Sequence, residues 1–399
     1  MTSDTLIKRQ SVLIREGKIK QVDKFSKIKK NKRTRVINGK DKFLMPGLAD
    51  MHVHMPELEK IDTLLLMNIA AGVTHIRVMN SKVPQKEIKE RIASGQLESP
   101  KIYYSHIIKR DETYSGPEAD SLMVTIKNQD ISFIKLFSLS DESTFDNLVR
   151  SAQKYNITIC GHYPTYQNEG KTVMVEMEKV LKNKYKSIEH LAGYNGFETN
   201  EQLQEAVLLT KKYQVYNCPT LDWDIMAYDL QYPELYKKRL TYRMLPSKYI
   251  QKWESRYAEA IDKAGGSDKV TVARDKYKEQ FKRKQYILKK LYENDCILLI
   301  GGDAGNHFQA DGFNVYEEMI NWSRIGVDNY TILKSATTNP AMFFNKNGQW
   351  GTVETGKDAD LVILAKNPLE NIENIATITV TITNGKVFHQ KKLLEKIIR

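Results

Sequence analysis

From residue 49 onward one unit recurs, a short apolar run followed by a stretch of helical periodicity. The runs fall at 49–54, 73–79, 101–105, 133–137, 157–161, 187–190, 214–218 and 297–301, with helix-compatible segments such as 58–70, 145–155 and 172–182 between them. A strand covered on both faces reads as a continuous apolar run, and parallel neighbours need a crossover helix to connect them. Eight such runs predict closure into a (β/α)8 TIM barrel rather than an open sheet. One connection is far longer than the others. Residues 223–294 are rich in Tyr, Lys and Arg, with helical periodicity on both sides of Ala264-Gly265-Gly266-Ser267. A βα insertion of this size lies on the face where strands end, so it is expected to cap that face or to meet another copy of the chain.

The two ends have a different grammar. Val12, Ile14, Ile19 and Val22 alternate around a turn at Gly17, and Asn38-Gly39 marks a second turn before Phe43-Leu44-Met45. At the far end 359–364 and 378–382 read as strands, with a turn at Asn384-Gly385 before Val387-Phe388. The first 45 residues therefore read as all-β. Residues 1–45 and 348–399 together predict one small composite β-sandwich domain, and 46–347 the barrel.

Composition narrows the function more by exclusion than by assertion. The excess of 61 Lys+Arg over 49 Asp+Glu gives a net charge of +12, which raises the question of an anionic partner. The basic clusters, 27–35 and 276–290, read as a loop and as the wet face of a helix, without zinc-finger, helix-turn-helix or aromatic RNA-binding signatures. No nucleic acid is expected. No run is long and apolar enough for a membrane span, and residues 1–10 lack an apolar signal core, so the expectation is a cytoplasmic protein. A leader cleaved before this start would leave no trace. Cys160, Cys218 and Cys296 are odd in number and lie in or beside apolar runs, as buried free thiols do.

Chemistry-bearing residues sit at the ends of the runs. Met45-Pro46-Gly47-Leu48-Ala49-Asp50-Met51-His52-Val53-His54 delivers two imidazoles at i, i+2, on one face of a strand. Lys135, His162, His190 and Asp303 follow at or near the ends of later runs. A barrel gathers its strand ends on one rim, so imidazoles and a carboxylate at several ends form the ligand set of a zinc-like divalent site. Lys135 lies within the apolar Phe133-Ile134-Lys135-Leu136-Phe137. A buried ammonium is costly, but a neutral amine there can add carbon dioxide and become a carbamate able to bridge two cations.

The ordered set Pro-Gly-Leu-Ala-Asp-Met-His-Val-His, Phe-Ile-Lys, Gly-His, Ile-Glu-His and Gly-Gly-Asp-Ala-Gly resembles the amidohydrolase superfamily, most nearly its imidazolonepropionase-like and prolidase-like branch. The tail agrees: Ala336-Thr337-Thr338-Asn339-Pro340-Ala341 and the stretch from Gly351 to Val362 resemble the return from barrel to β domain. The resemblance implies two divalent metal ions, zinc by default for such ligands. His52, His54 and Asp303 would hold one ion, His162 and His190 the other, and carboxylated Lys135 would bridge them. It implies hydrolysis by a metal-bridging hydroxide, with Asp303 as general base and then general acid.

The implied substrate is a small molecule with an amide or peptide bond, such as a dipeptide or an N-acyl amino acid. The same site would also serve a lactone, carbamate or phosphotriester. A catalytically dead barrel acting as a binding protein is the alternative from another class. Candidate substrate contacts, chosen only for their nearness to run ends, are His106, Tyr163, Tyr166, Tyr194, Asp222 and His307. His75, Arg77 and His389 read as structural.

Overall fold

A computed structural model describes residues 4–110, 112–245 and 247–397. The chain opens with a hairpin of β1 (Ser11–Arg15) and β2 (Lys18–Asp23), turned by Gly17 at φ 69°. Residues 24–42 then contain no strand, only one short 3-10 turn, which corrects the all-β reading of the first 45 residues. Lysines and arginines crowd that segment without an alternating apolar face, and only isolated side chains such as Ile28 and Ile37 pack inward. β3 (Phe43–Pro46) leads into the barrel.

The barrel strands are β4 (Leu48–Met55), β5 (Val73–Ser81), β6 (Lys101–Ile108), β7 (Phe133–Leu136) and β8 (Thr158–Gly161). After a small hairpin of β9 (Thr165–Asn168) and β10 (Lys171–Met174) come β11 (Ser187–Glu189) and β12 (Tyr216–Cys218). The seven barrel strands pair in parallel, in the order β12-β11-β8-β7-β6-β5-β4. The eighth run closes the ring with a single bridge at Leu298 rather than a full strand. It hands over between neighbours: Leu299 N–H bonds Asn217 on β12 at 2.8 Å, and Ile300 O accepts Met51 N–H of β4 at 2.9 Å. Neither side holds long enough to make a ladder.

The β9–β10 hairpin occupies part of the segment expected to be helical at 172–182, where the helix is confined to Met177–Lys182. Its two turn residues, Glu169 and Gly170, have φ 50° and 75°. Positive φ at both central positions is the turn that matches strand twist, so local turn chemistry overrides the helical periodicity.

β13 (Leu361–Leu364), β14 (Ile378–Thr383) and β15 (Lys386–His389) complete an antiparallel sheet with β3, in which Leu361 pairs with Pro46 and Leu364 with Phe43. The β1–β2 hairpin packs on it around Ile19, Leu361, Ile363, Val380 and Ile382. One sheet thus draws strands from both ends of the chain. A last helix, Gln390–Ile397, is unforeseen by the sequence reading and docks on the barrel's Leu58–Ala70 helix, with Gln390 Nε2 donating to Ala70 O at 3.0 Å. Lys101, the first residue of β6, ties the layers together through Asp358 (2.6 Å) and Asp360 (2.7 Å).

Inside the barrel Ala49, Met51, Phe133, Cys160, Cys218 and Leu299 fill one layer, with Phe343 and Trp350 packed against them. The interior is solid there, and only the strand-end rim is left for chemistry. The insertion folds as helices Leu240–Met244, Ser247–Lys263 and Ser267–Glu293, broken at Gly265 and Gly266, whose φ values are 91° and 97°. Among the described residues no helix is long and apolar enough to cross a membrane.

Candidate metal centre

His52 and His54 do not reach one face through alternation alone. Met51 points into the filled layer, so a regular strand would turn His52 outward. Instead β4 breaks register against β5 between Asp50 and Val53 and again between Val53 and His54. An irregularity of this kind re-aims side chains. Both imidazoles come to lie together, with Nε2 atoms 3.3 Å apart.

Asp303 closes the group. Its Oδ1 is 3.5 Å from His54 Nε2 and 3.7 Å from His52 Nε2, and its Oδ2 is 3.7 Å from His190 Nδ1. The His190 ring lies 4.8 Å from that of His52 and 5.0 Å from that of His162. The structure therefore brings the four histidines and Asp303 to one rim. His52, His190 and Asp303 also form a set of three donors close enough for one ion, whereas the family resemblance groups His190 with His162.

Three of the four rings are held at Nδ1 by a partner. His52 Nδ1–H donates to Glu189 Oε2 at 3.0 Å, which leaves Nε2 with a lone pair. His162 Nδ1–H donates to Phe137 O at 3.0 Å, and His190 Nδ1–H to Thr220 Oγ1 at 2.6 Å, because that hydroxyl's own proton goes to Pro219 O. Such partners fix tautomers for ligation. Burial drives His52 and His190 well below the ordinary imidazole range, and His54 and His162 to about 4 and about 3, with the Lys135 charge adding to the effect. Burial pushes the Asp303 carboxyl up to about 7 against the opposing pull of Lys135.

Lys135 is fully inside the barrel, on the same face of β7 as Phe133. Burial lowers its pKa, and Arg77 lowers it further against the opposite pull of Glu189 and Asp303. Its alkyl chain runs beside Gly161, where an added Cβ would meet Lys135 Cδ at 2.9 Å. Glycine is needed there for the close approach as well as for φ 135°. The rim also carries backbone in sparsely populated space, with His190, Thr220 and Asp303 at φ 60°, 51° and 46°. Such outliers persist where surrounding contacts over-determine them, and they cluster at functional sites.

The donor set fits a divalent cation. Two imidazole nitrogens bound to one zinc-like ion at about 2.0–2.1 Å would stand about 3.3 Å apart on a tetrahedral edge, which is the spacing between His52 and His54. The same spacing also serves one N–H···N hydrogen bond. Neutral imidazoles facing a carboxylate are nitrogen and oxygen ligands of the kind such an ion selects.

Two residues absent from the predicted site matter to it. Glu189 and Arg77 are fully buried and paired at 2.7 Å, and Arg77 also donates to Met51 O (2.6 Å) and Ser187 Oγ (2.8 Å). Arg77 reads as structural in the sequence, yet through Glu189 it reaches a candidate ligand. The available signal is a pair of opposite charges inside two apolar runs. Asp50 is a third such residue, with Oδ1 accepting the N–H of Gly302 at 2.7 Å and of His52 at 3.0 Å.

The amidohydrolase family model matches residues 134–388, well over half of the chain and the stretch that holds Lys135, His162, His190 and Asp303. The chain belongs to the amidohydrolase family. Its fold is shared almost end to end by solved structures. An Xaa-Pro dipeptidase with bound methionine in the active site superposes with a TM-score of 0.69 at 19% identity, over 97% of both chains. A putative prolidase from Bifidobacterium longum gives 0.67 at 17%, over 96% of this chain and 92% of that one. Molinate hydrolase gives 0.67 at 15%, over 96% and 91%. No curated protein matches in sequence. At these identities the likeness is one of fold.

Five of the six candidate substrate contacts of this amidohydrolase have protein partners of their own. Tyr194 is fully buried with its hydroxyl 2.7 Å from Thr210 Oγ1, and Tyr163 donates to Val175 O at 2.5 Å from within the core. Tyr166, on β9, donates to Glu142 at 3.3 Å. His106 lies within β6 rather than after it, paired in register with Ile134, so alternation turns it away from Lys135. Asp222 is spent on Arg239, and His307 packs against the Tyr257 ring of the cap at 5.3 Å. The rings beside the histidines are ones that the sequence does not single out. Trp223 lies 6.4 Å from His190, and the exposed Phe137 lies 4.6 Å from His162.

Proposed function

We propose that this amidohydrolase cleaves an amide or peptide bond in a small substrate such as a dipeptide or an N-acyl amino acid, with two divalent metal ions. The convergence of His52 Nε2, His54 Nε2 and Asp303 Oδ1 within 3.3 to 3.7 Å carries the reading. His52, His54 and Asp303 would hold one ion, and His162 and His190 the second, with Lys135 as a carbamate between them. Bound there, the metals supply Lewis acidity that makes water nucleophilic at neutral pH and polarises a carbonyl. Asp303, held at the rim by its N–H on His52 O (2.8 Å), would accept the proton of the attacking water and return it to the leaving amine. Glu189, Phe137 O and Thr220 occupy Nδ1 of His52, His162 and His190, so Nε2 is the nitrogen each of these rings would offer a metal.

The wall next to His190 supports an apolar or aromatic side chain beside the scissile bond. Trp223 is followed by Tyr228 at 6.1 Å and Tyr228 by Tyr277 at 4.0 Å, a run of rings from the rim into the cap. The cations packed near it are already neutralised, Lys284 by Asp224 (2.7 Å) and Arg239 by Asp222 (2.9 Å). Rings of this kind bind through area and edge-to-face geometry rather than charge.

The test is metal analysis on protein purified without chelator, together with hydrolysis of a panel of dipeptides and N-acyl amino acids. Bound divalent metal and amide hydrolysis that is abolished by chelator and favours aromatic over charged side chains is expected. Metal-free protein that stays inert when supplied with zinc, manganese or cobalt refutes the proposal.

A further inference from the structure

The insertion does more than cover the rim. Arg239, 3% exposed and at the start of its Leu240–Met244 helix, grips Asp222 through Nη2, at 2.9 Å from Oδ1 and 3.0 Å from Oδ2. Asp222 lies just after β12, in the first turn of the helix Leu221–Ala227. Its Oδ2 also accepts from Gln309 Nε2 at 3.0 Å. Gln309 in turn points its amide oxygen at backbone, accepting the N–H of Gly305 at 3.1 Å and of Asn306 at 2.9 Å. Only one orientation of that amide satisfies all three contacts, since the reverse would set its NH2 against two N–H groups.

Gly305 is two residues from Asp303, so an unbroken polar chain runs from the cap to the loop that carries the carboxylate. A second grip acts on the same loop. Phe308 is buried at φ 59°, stacked on Tyr236 at 4.1 Å and edge-on to Tyr257 at 5.1 Å and Trp253 at 5.6 Å, all rings of the insertion. A β-like or helical Phe308 would leave that cage, and the strained φ is held by the packing.

We infer that Arg239, Asp222 and Gln309 are positioning residues, through which the cap holds the loop after Asp303 and sets its carboxylate against the histidines. The inference rests on the reading of Asp303 as ligand and base. It gives the 223–294 insertion a role in chemistry and explains why Asp222 is not free to meet a substrate. A loop tethered only by the barrel would feel nothing when the cap end of the chain is cut.

The experiment compares the full-length wild type with Gln309→Ala, which cuts the chain at the loop, and Arg239→Lys, which keeps the charge but whose shorter stem draws the donor back from Asp222 and drops the Nη1 contact to Met226. Hydrogen–deuterium exchange on metal-free protein reads the loop directly. Amides at 304–307 are expected to exchange at least tenfold faster in both variants, with protection of the barrel strands unchanged. On cobalt(II)-loaded protein the visible ligand-field bands should shift or weaken, and kcat should fall about tenfold while KM stays within twofold. Wild-type exchange at 304–307 in Gln309→Ala overturns the inference. A response in Gln309→Ala with none in Arg239→Lys also overturns it, because the cap would then play no part. If the wild type takes up no cobalt, the metal-site reading fails, and the exchange result alone still decides whether the cap holds the loop.

Discussion

Glu189→Gln is the most informative single change, because one carboxylate faces both a buried cation and a candidate ligand. The Arg77–Glu189 contact is 2.7 Å with both side chains at 0% exposure. At an effective dielectric of about 20 that separation corresponds to about 6 kcal/mol of gross attraction, much of it offset by desolvation. Neutralising one member leaves the other charge buried, at a cost of about 3–5 kcal/mol. Arg77 would keep Met51 O and Ser187 Oγ as acceptors, so the expected loss lies near the lower end, about 3 kcal/mol. For a chain of 399 residues that is a fall of roughly 3–4 °C in Tm.

The amide introduced by Glu189→Gln can keep its one oxygen where Arg77 and His52 both meet Oε2 and turn its NH2 to Ser187 Oγ, so the contacts persist without the carboxylate's charge. His52 is left with an uncharged, weaker acceptor that holds its ring less firmly, and metal affinity should drop about 10- to 100-fold. Calorimetry on chelated protein isolates the stability term, and competition titration with a chromophoric chelator isolates the affinity. The double variant Arg77→Met/Glu189→Leu should recover much of the stability without recovering the affinity. Glu189→Gln within about 1 kcal/mol of wild type, or a double variant no more stable than the single, would refute the reasoning.

Lys135→Ala should lower metal content from about two ions per chain to one or none, read by elemental analysis, whereas unchanged content would reduce Lys135 to an ordinary interior lysine. Burial pushes Glu318 up to about 8. Folded protein then holds a proton that unfolded chain releases near the ordinary glutamate value of 4.5, so this group's stabilisation is present at acid pH and lost as pH rises from there through about 8. Melting curves should accordingly show the Tm of Glu318→Gln rising relative to wild type between about pH 5 and pH 8, and a constant difference would contradict it. Gly161→Ala should cost about 2 kcal/mol or more, since the new Cβ meets the β7 backbone and Lys135. A Tm equal to wild type would mean that the close approach at β8 is not what the structure shows.

Much of the architecture is legible in one dimension because it depends on local covering of surface. Runs apolar on both faces have to be buried parallel strands, and alternation at both ends, with Gly17 and Asn384-Gly385 as turns, has to be antiparallel sheet. The failures have local causes too. The 165–174 hairpin takes the first residues of the helical pattern at 172–182, because its two turn residues outweigh periodicity. The eighth run has a strand's composition but divides its hydrogen bonds between two neighbours. The residues chosen for nearness to strand ends rest on the least information, since position along the chain says nothing of whether Tyr194 meets a substrate or Thr210.

The candidate site divides along the same line. His52, His54, Lys135, His162, His190 and Asp303 could be named from the sequence, because ligand chemistry depends on residue type and a barrel brings its strand ends to one rim whatever the loops do. Their mutual distances, the bulge that turns His52 inward, the Arg77–Glu189 pair behind it and the cap's hold on the loop after Asp303 were decided only in three dimensions. Each is a contact between residues far apart in the chain, set by how layers pack, and no local pattern of side chains encodes a distance between elements that meet only on folding.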